Sequence, residues 1–214
     1  MSMDVLLFQA ALAAYFISTL GYLTSLAAKR VGPARASAWV LLAAFVLHAF
    51  AFAFRAAGIG MVPVLNLPEA LSFLAWLVAG SYLVIQWKAK VKILGVFIAP
   101  VALLLMIGAS AGYGGITGDI AILQTLKGGL VTVHVILSIM GEALFAIAGC
   151  AGLVYLIQND FLKHRKVTWF SRMLPSLGDL DRINHFCLLI GFPLLTLGVI
   201  AGSIWARVVW GSHW

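Results

Sequence analysis

Six runs of apolar residues, each near the length of a membrane-crossing helix, organise this chain. They lie roughly at residues 5–27, 38–57, 68–87, 93–111, 131–157 and 184–206. A helix rises 1.5 Å per residue, so about 20 residues span the ~30 Å hydrocarbon layer of a bilayer. Lipid offers no water to unpaired backbone groups, so only helices or closed barrels cross it. Barrel strands read as alternating segments of about ten residues, and these runs do not alternate. The pattern predicts an all-α, polytopic bundle of about six transmembrane helices, one domain over 1–214 with no internal repeat. The fourth run carries Pro100 and is the least regular.

Composition reinforces the reading. The 214 residues are 63% hydrophobic and 10% charged, and mean hydropathy is +1.07. Soluble domains carry about a quarter charged residues. The first run is no cleavable signal peptide, because Asp4 and no basic residue precede it.

The net charge of +7 does not indicate a nucleic-acid partner, because its distribution follows the membrane. Most of the 14 basic residues fall in the loops after the first, third and fifth runs: Lys29, Arg30 and Arg35, then Lys88, Lys90 and Lys92, then Lys163, Arg165, Lys166, Arg172 and Arg182. Only Arg55, Lys127 and Arg207 lie on the other side. Basic loops face the cytoplasm, so the N-terminus and the C-terminal tail are expected outside.

The longest polar stretch, Gln158 to Asn184, alternates Phe161, Leu162, Trp169, Phe170, Met173 and Leu174 with basic residues. A short helix along the cytoplasmic interface is expected, ended by Pro175, with Asp179 or Asp181 capping the next helix. Asn66, Pro68 and Glu69 have the spacing of a capped helix start. Cys150 and Cys187 form no Cys-x-x-Cys pair and read as small buried hydrophobes.

In so apolar a chain, each polar group needs a reason. His164 belongs to a basic, solvated loop, and His185 begins the last run near the inner face. His48 lies near the middle of the second run, where a polar ring is either a ligand or hydrogen-bonded to a neighbouring helix. His134 stands at the outer end of the fifth run. It suits an axial haem ligand held on a rigid helix, or equally an interfacial imidazole bonded to a loop. Ser138 and Glu142 continue a polar stripe from His134, with Glu142 ~12 Å deeper. A mid-membrane carboxyl must be neutral, paired or facing water; Arg55 is its expected partner, which would place a shared site between the second and fifth runs.

The chain ends Gly202-Ser-Ile-Trp-Ala-Arg-Val-Val-Trp-Gly-Ser-His-Trp214. Indoles favour the membrane–water boundary and pack on flat aromatic ligands, so Trp205, Trp210 and Trp214 are either an anchor or a platform.

The stretch from Leu188 to Ala206 followed by Trp-Gly-Ser-His-Trp resembles the CcsA-type cytochrome c assembly proteins of system II cytochrome c biogenesis. Leu47-His-Ala with Phe54-Arg, Asn66-Leu-Pro-Glu-Ala-Leu-Ser-Phe, His134-Val-Ile-Leu-Ser-Ile-Met-Gly-Glu and Leu174-Pro-Ser-Leu carry the likeness over nearly the whole chain. The family's tryptophan-rich motif runs Trp-Gly-x-x-Trp-x-Trp-Asp-Pro, and here it stops at Trp214. The resemblance implies that haem b is passed through the bundle and presented, without a covalent bond, to apocytochrome c on the outer face of a bacterial cytoplasmic membrane. It implies a CcsB-type membrane partner. By matching position, His134 is the first of two outer axial histidines, His48 a candidate intramembrane ligand, and Trp205, Trp210, Gly211 and Trp214 the haem platform. His213 is a platform neighbour. The Trp-Asp-Pro continuation and the second outer histidine are absent, so a truncated chain with little or no haem-ligation activity of its own is expected. HemX-type proteins, which regulate tetrapyrrole synthesis, share the helical pattern and are the alternative. A quinone-linked b-type cytochrome subunit ranks last, since only His48 is deep enough for paired intramembrane ligation.

Overall fold

The computed structural model describes residues 2–60, 62–64, 66–89, 91–115, 129–165 and 168–211, with backbone alone at Val31 and Trp210. It contains α1 (Met3–Ala27), α2 (Val31–Ile59), α3 (Leu67–Ala89), a 3₁₀ turn (Lys92–Leu94), α4 (Gly95–Ser110), α5 (Gly129–Lys163), α6 (Trp169–Met173) and α7 (Leu177–Trp210). Six of its helices are long and apolar enough to cross a membrane. The expected all-α, multi-pass architecture is the one observed.

Side chains cap the starts of α3 and α7. Asn66 Oδ1 accepts the Glu69 N–H at 2.8 Å, satisfying a donor that the first turn of α3 leaves open. The last run starts seven residues earlier than its apolar pattern predicts. Ser176, rather than Asp179 or Asp181, is the N-cap, and Ser176 Oγ accepts the Asp179 N–H at 3.1 Å. Asp179 takes the third helical position and accepts the Ser176 hydroxyl at 2.6 Å. Pro100 sits inside α4 without ending it, because in lipid a broken helix would strand several backbone groups instead of one.

α5 and α7 run for 35 and 34 residues, about 50 Å each, well beyond the hydrocarbon thickness. Their excess length projects at the rim carrying the basic loops. α6 is shorter than the amphipathic stretch suggests and packs down on the bundle. Phe170 and Met173 meet the core, Gln158 Nε2 donates to the Ser171 carbonyl at 3.2 Å, and Lys29 Nζ lies 5.7 Å from the Trp169 ring centre.

α1 packs along α2 and α3 along α4, with α4 also touching α1; α5 and α7 form a second unit that meets the first through α3. Most of the core lies in the first unit, where Tyr15, Tyr22, Tyr82, Leu41, Leu94, Ile98 and Met106 are fully buried, and Ile147 of α5 and Leu180 of α7 extend it into the second. α7 shows Leu189, Phe192, Val199 and Ile200 outward, the apolar surface that lipid covers.

Candidate functional site

Glycines let α5 and α7 approach closely. A side chain at Gly141 would begin 2.9 Å from the Gly191 carbonyl and from Leu195, and one at Gly198 would meet Ser138. Small residues at such crossings bring backbones into van der Waals contact, the main attraction available between helices in lipid. At the end of this seam away from the basic loops the His134 ring fills the notch over Gly202, and His134 Nδ1 lies 2.7 Å from the Gly198 carbonyl oxygen.

That oxygen only accepts, so Nδ1 carries the proton. The tautomer leaves the Nε2 lone pair available, as in histidine ligands whose orientation is fixed through the other ring nitrogen. His134 is therefore pinned, half-buried and chemically suited to donate to a metal. The buried Ser138 hydroxyl, one turn deeper, has no hydrogen-bond partner among the described residues. His134 thus fits one axial position of a haem iron.

Trp205 follows Gly202 by three residues on α7 and is half-buried. Trp210 closes α7. Gly211 is its C-cap, with φ of 73° and its N–H bonded to the Arg207 carbonyl at 3.0 Å. Glycine adopts that left-handed conformation without strain, so helix termination accounts for this position. Trp214 and His213 lie outside the described residues, as does the side chain of Trp210.

His48 is fully buried in the other unit. Nε2 lies 2.8 Å from Ser72 Oγ of α3 and Nδ1 lies 3.5 Å from Tyr15 Oη of α1. Phe52 stacks on the ring at 4.9 Å between centres, and Phe8 and Tyr15 meet it edge-on. Three helices thus satisfy and enclose the imidazole, and iron could reach a nitrogen only if α1 or α3 moved. Sequence reasoning missed Ser72 and Tyr15; no pattern in a single chain pairs residues so far apart.

Arg55 does not reach Glu142. Its Nε and Nη2 donate to Glu69 Oε1 at 3.0 and 2.9 Å, its Nη1 is 3.7 Å from Asp4 Oδ2, and it also bonds the Gly114 and Gly115 carbonyls. The guanidinium is the fixed geometric match for these acceptors and ties α1, α2, α3 and the segment after α4 together at the rim opposite the basic loops. Tyr113 stacks on Phe8 beside this cluster, 3.9 Å between ring centres. Burial, and then the Asp4 charge, push its phenol pKa above the ordinary tyrosine range. Glu142 instead faces outward from α5 with no ion pair among the described residues, and the expected site between the second and fifth spans is not formed. Its 80° offset from His134 turns it away from the seam that Ser138 and His134 occupy.

Among the described residues no three histidine, cysteine or acidic side chains converge to hold a metal ion. Cys150 and Cys187 are unpaired, the second buried.

The cytochrome C assembly protein family model matches residues 64–214, a region that holds the whole α5–α7 site and leaves out Tyr15, His48 and Arg55. The cytochrome c biogenesis protein CcsA of Trieres chinensis is 26% identical over 188 residues, with 72% of this chain and 59% of the relative covered. The protein of the same name from Chlamydomonas reinhardtii is 30% identical over 159 residues, covering 72% and 44%. Protein HemX of Brevibacillus brevis is 29% identical over 174 residues, covering 81% and 61%. The chain spans less than two thirds of the length of each of these relatives. On the match of the family model across most of its length, this multi-pass membrane chain belongs to the cytochrome C assembly protein family.

Proposed function

We propose that this chain serves c-type cytochrome maturation by holding haem b as cargo at the outer end of the α5–α7 pair and presenting it to apocytochrome c. The observation that carries the reading is the His134 imidazole, fixed through Nδ1 on the Gly198 carbonyl with Nε2 left to donate. His134 would supply an axial nitrogen, Trp205 and the following Trp210, Gly211 and Trp214 the flat apolar cover, and Gly198 and Gly202 the space and orientation. His48 takes a ligand role only if its helices part. Bound haem supplies the reactive vinyl groups, while the protein supplies position and exclusion of water. The setting is a bacterial cytoplasmic membrane with the Trp205 end facing out, and a CcsB-type membrane protein is the partner that would complete a haem lyase.

The test is rescue of cytochrome c maturation. In bacteria lacking their own CcsA-type protein, this chain joined to the C-terminal part of a CcsA-type relative, and produced with a CcsB-type partner, should restore haem-stained cytochrome c, and the His134→Ala form of the same fusion should not. Equal staining with both forms would overturn the proposal.

A second reading, favoured by the 29% identity with Protein HemX over 81% of this chain, is a non-catalytic regulator of tetrapyrrole synthesis. It predicts altered porphyrin precursor levels with unchanged cytochrome c in the same strains.

A further inference from the structure

A trough of about 1240 Å³ opens between α2 and the α5–α7 pair, with α3 as its floor, on the half of the bundle that carries the basic loops. It is larger than the ~300–1,000 Å³ usual for small-molecule clefts. Its walls are apolar except at one end. Phe45 and Trp76 stack in parallel at 4.9 Å across the α2–α3 joint, held by Trp76 Nε1 donating to the Phe45 carbonyl at 3.2 Å. Gly80 makes this possible, because a Cβ there would sit 2.6 Å from the Phe45 ring. Trp39 stands at the edge, 69% exposed.

Cations cluster at the other end. Arg35 and Lys92 both line the trough at the basic rim, and neither has an ion-pair partner among the described residues. Gln86 lies beside them. Its Oε1 accepts the Tyr22 and Tyr82 hydroxyls, which leaves its amide nitrogen to donate into the trough. The feature therefore offers two positive charges and a neutral donor at the level of lipid head groups, above a long apolar channel at the level of acyl chains.

We propose that this trough is a binding site for an anionic phospholipid of the leaflet that meets the basic loops. The phosphate sits between Arg35, Lys92 and the Gln86 amide, and the acyl chains run along Trp39, Phe45 and Trp76. Basic pockets between transmembrane helices on the cytoplasmic side select such head groups, and each cation near a membrane surface adds about 1 kcal/mol, about a five-fold preference. A zwitterionic lipid fills the channel equally well but lacks the charge match. The site shares no residue with the His134 notch, so its occupancy does not depend on haem presentation.

The purified full chain, delipidated in a neutral detergent, is titrated with phosphatidylglycerol or phosphatidylcholine, and retained lipid is counted by native mass spectrometry. Phosphatidylglycerol should be retained preferentially, and the R35Q/K92Q double variant should lose about 25-fold of that preference. Both side chains lie at the surface rim, so the variant is expected to fold. As an independent measurement on the unaltered protein, phosphatidylglycerol with brominated acyl chains should quench tryptophan fluorescence, and less so in a Trp39→Leu, Trp76→Leu form. Equal retention of the two lipids, an unchanged preference in the double variant, or displacement of phosphatidylglycerol by stoichiometric haemin would each overturn the proposal.

Discussion

The imidazole of His134 occupies the space where a side chain at Gly202 would begin. A Cβ there would lie 2.5 Å from Nδ1 and 2.6 Å from Cε1, closer than real carbon contacts come, so Gly202→Ala must drive the ring out of its notch. Overpacking of this kind costs about 1–3 kcal/mol. The Gly202→Ala protein should unfold earlier in a sodium dodecyl sulfate titration and lose haem together with stability. An unshifted midpoint would show that the seam is looser than the notch implies.

The hydrogen bond between Ser72 and His48 tests whether the buried imidazole is held for packing. Interhelical polar contacts in membranes average about 0.6 kcal/mol and reach about 1.7. Ser72→Ala should therefore shift the unfolding midpoint modestly, and His48→Ala more, since it also leaves a cavity among Phe52, Phe8 and Tyr15. If His48→Ala lowers haem content with no loss of stability, the imidazole is a ligand and not a packing element.

At the rim opposite the basic loops, Glu69 is almost wholly buried against Arg55. Removing one partner of a buried ion pair costs about 3–5 kcal/mol, because the other charge is left without compensation. Arg55→Met strands two carboxylates, Asp4 and Glu69, and should be more damaging than Glu69→Gln. The same detergent titration ranks them, and the reverse order would mean that Asp4 is not part of the cluster.

Glu142 gives the opposite expectation. An acidic side chain on an outward face in mid-membrane costs about 2.5–3.5 kcal/mol, so Glu142→Leu should leave the unfolding midpoint unchanged or raise it. A lower midpoint would reveal a partner for the carboxyl.

Much of the architecture was legible because lipid imposes a single rule on every span. Long apolar runs located all six helices, and capping at Asn66 located the start of α3. The excess length of α5 and α7 was not legible, since beyond the lipid a helix no longer needs an apolar sequence. Nor was the choice of Ser176 over the two aspartates as cap, which depends on backbone conformation at one residue. At the site, His134 stood out as a lone imidazole at a helix end, and its glycine notch was present as Gly198 and Gly202, four residues apart. What no single-chain pattern could supply was the pairing of Arg55 with Asp4 and Glu69 instead of Glu142, or of His48 with Ser72 and Tyr15. Those pairings arise from helix order and rotation, which place residues distant in sequence within bonding range.

The most direct measurement is the haem absorbance of purified His134→Gly protein, with and without added imidazole, beside His134→Gln, which can keep a donor for the Gly198 carbonyl. With the chain produced beside a CcsB-type partner, His134→Gly should lose the Soret band of the unaltered protein and regain it with imidazole. His134→Gln should stay folded and without haem. A Soret band of unchanged position and intensity in both variants would contradict axial ligation by His134.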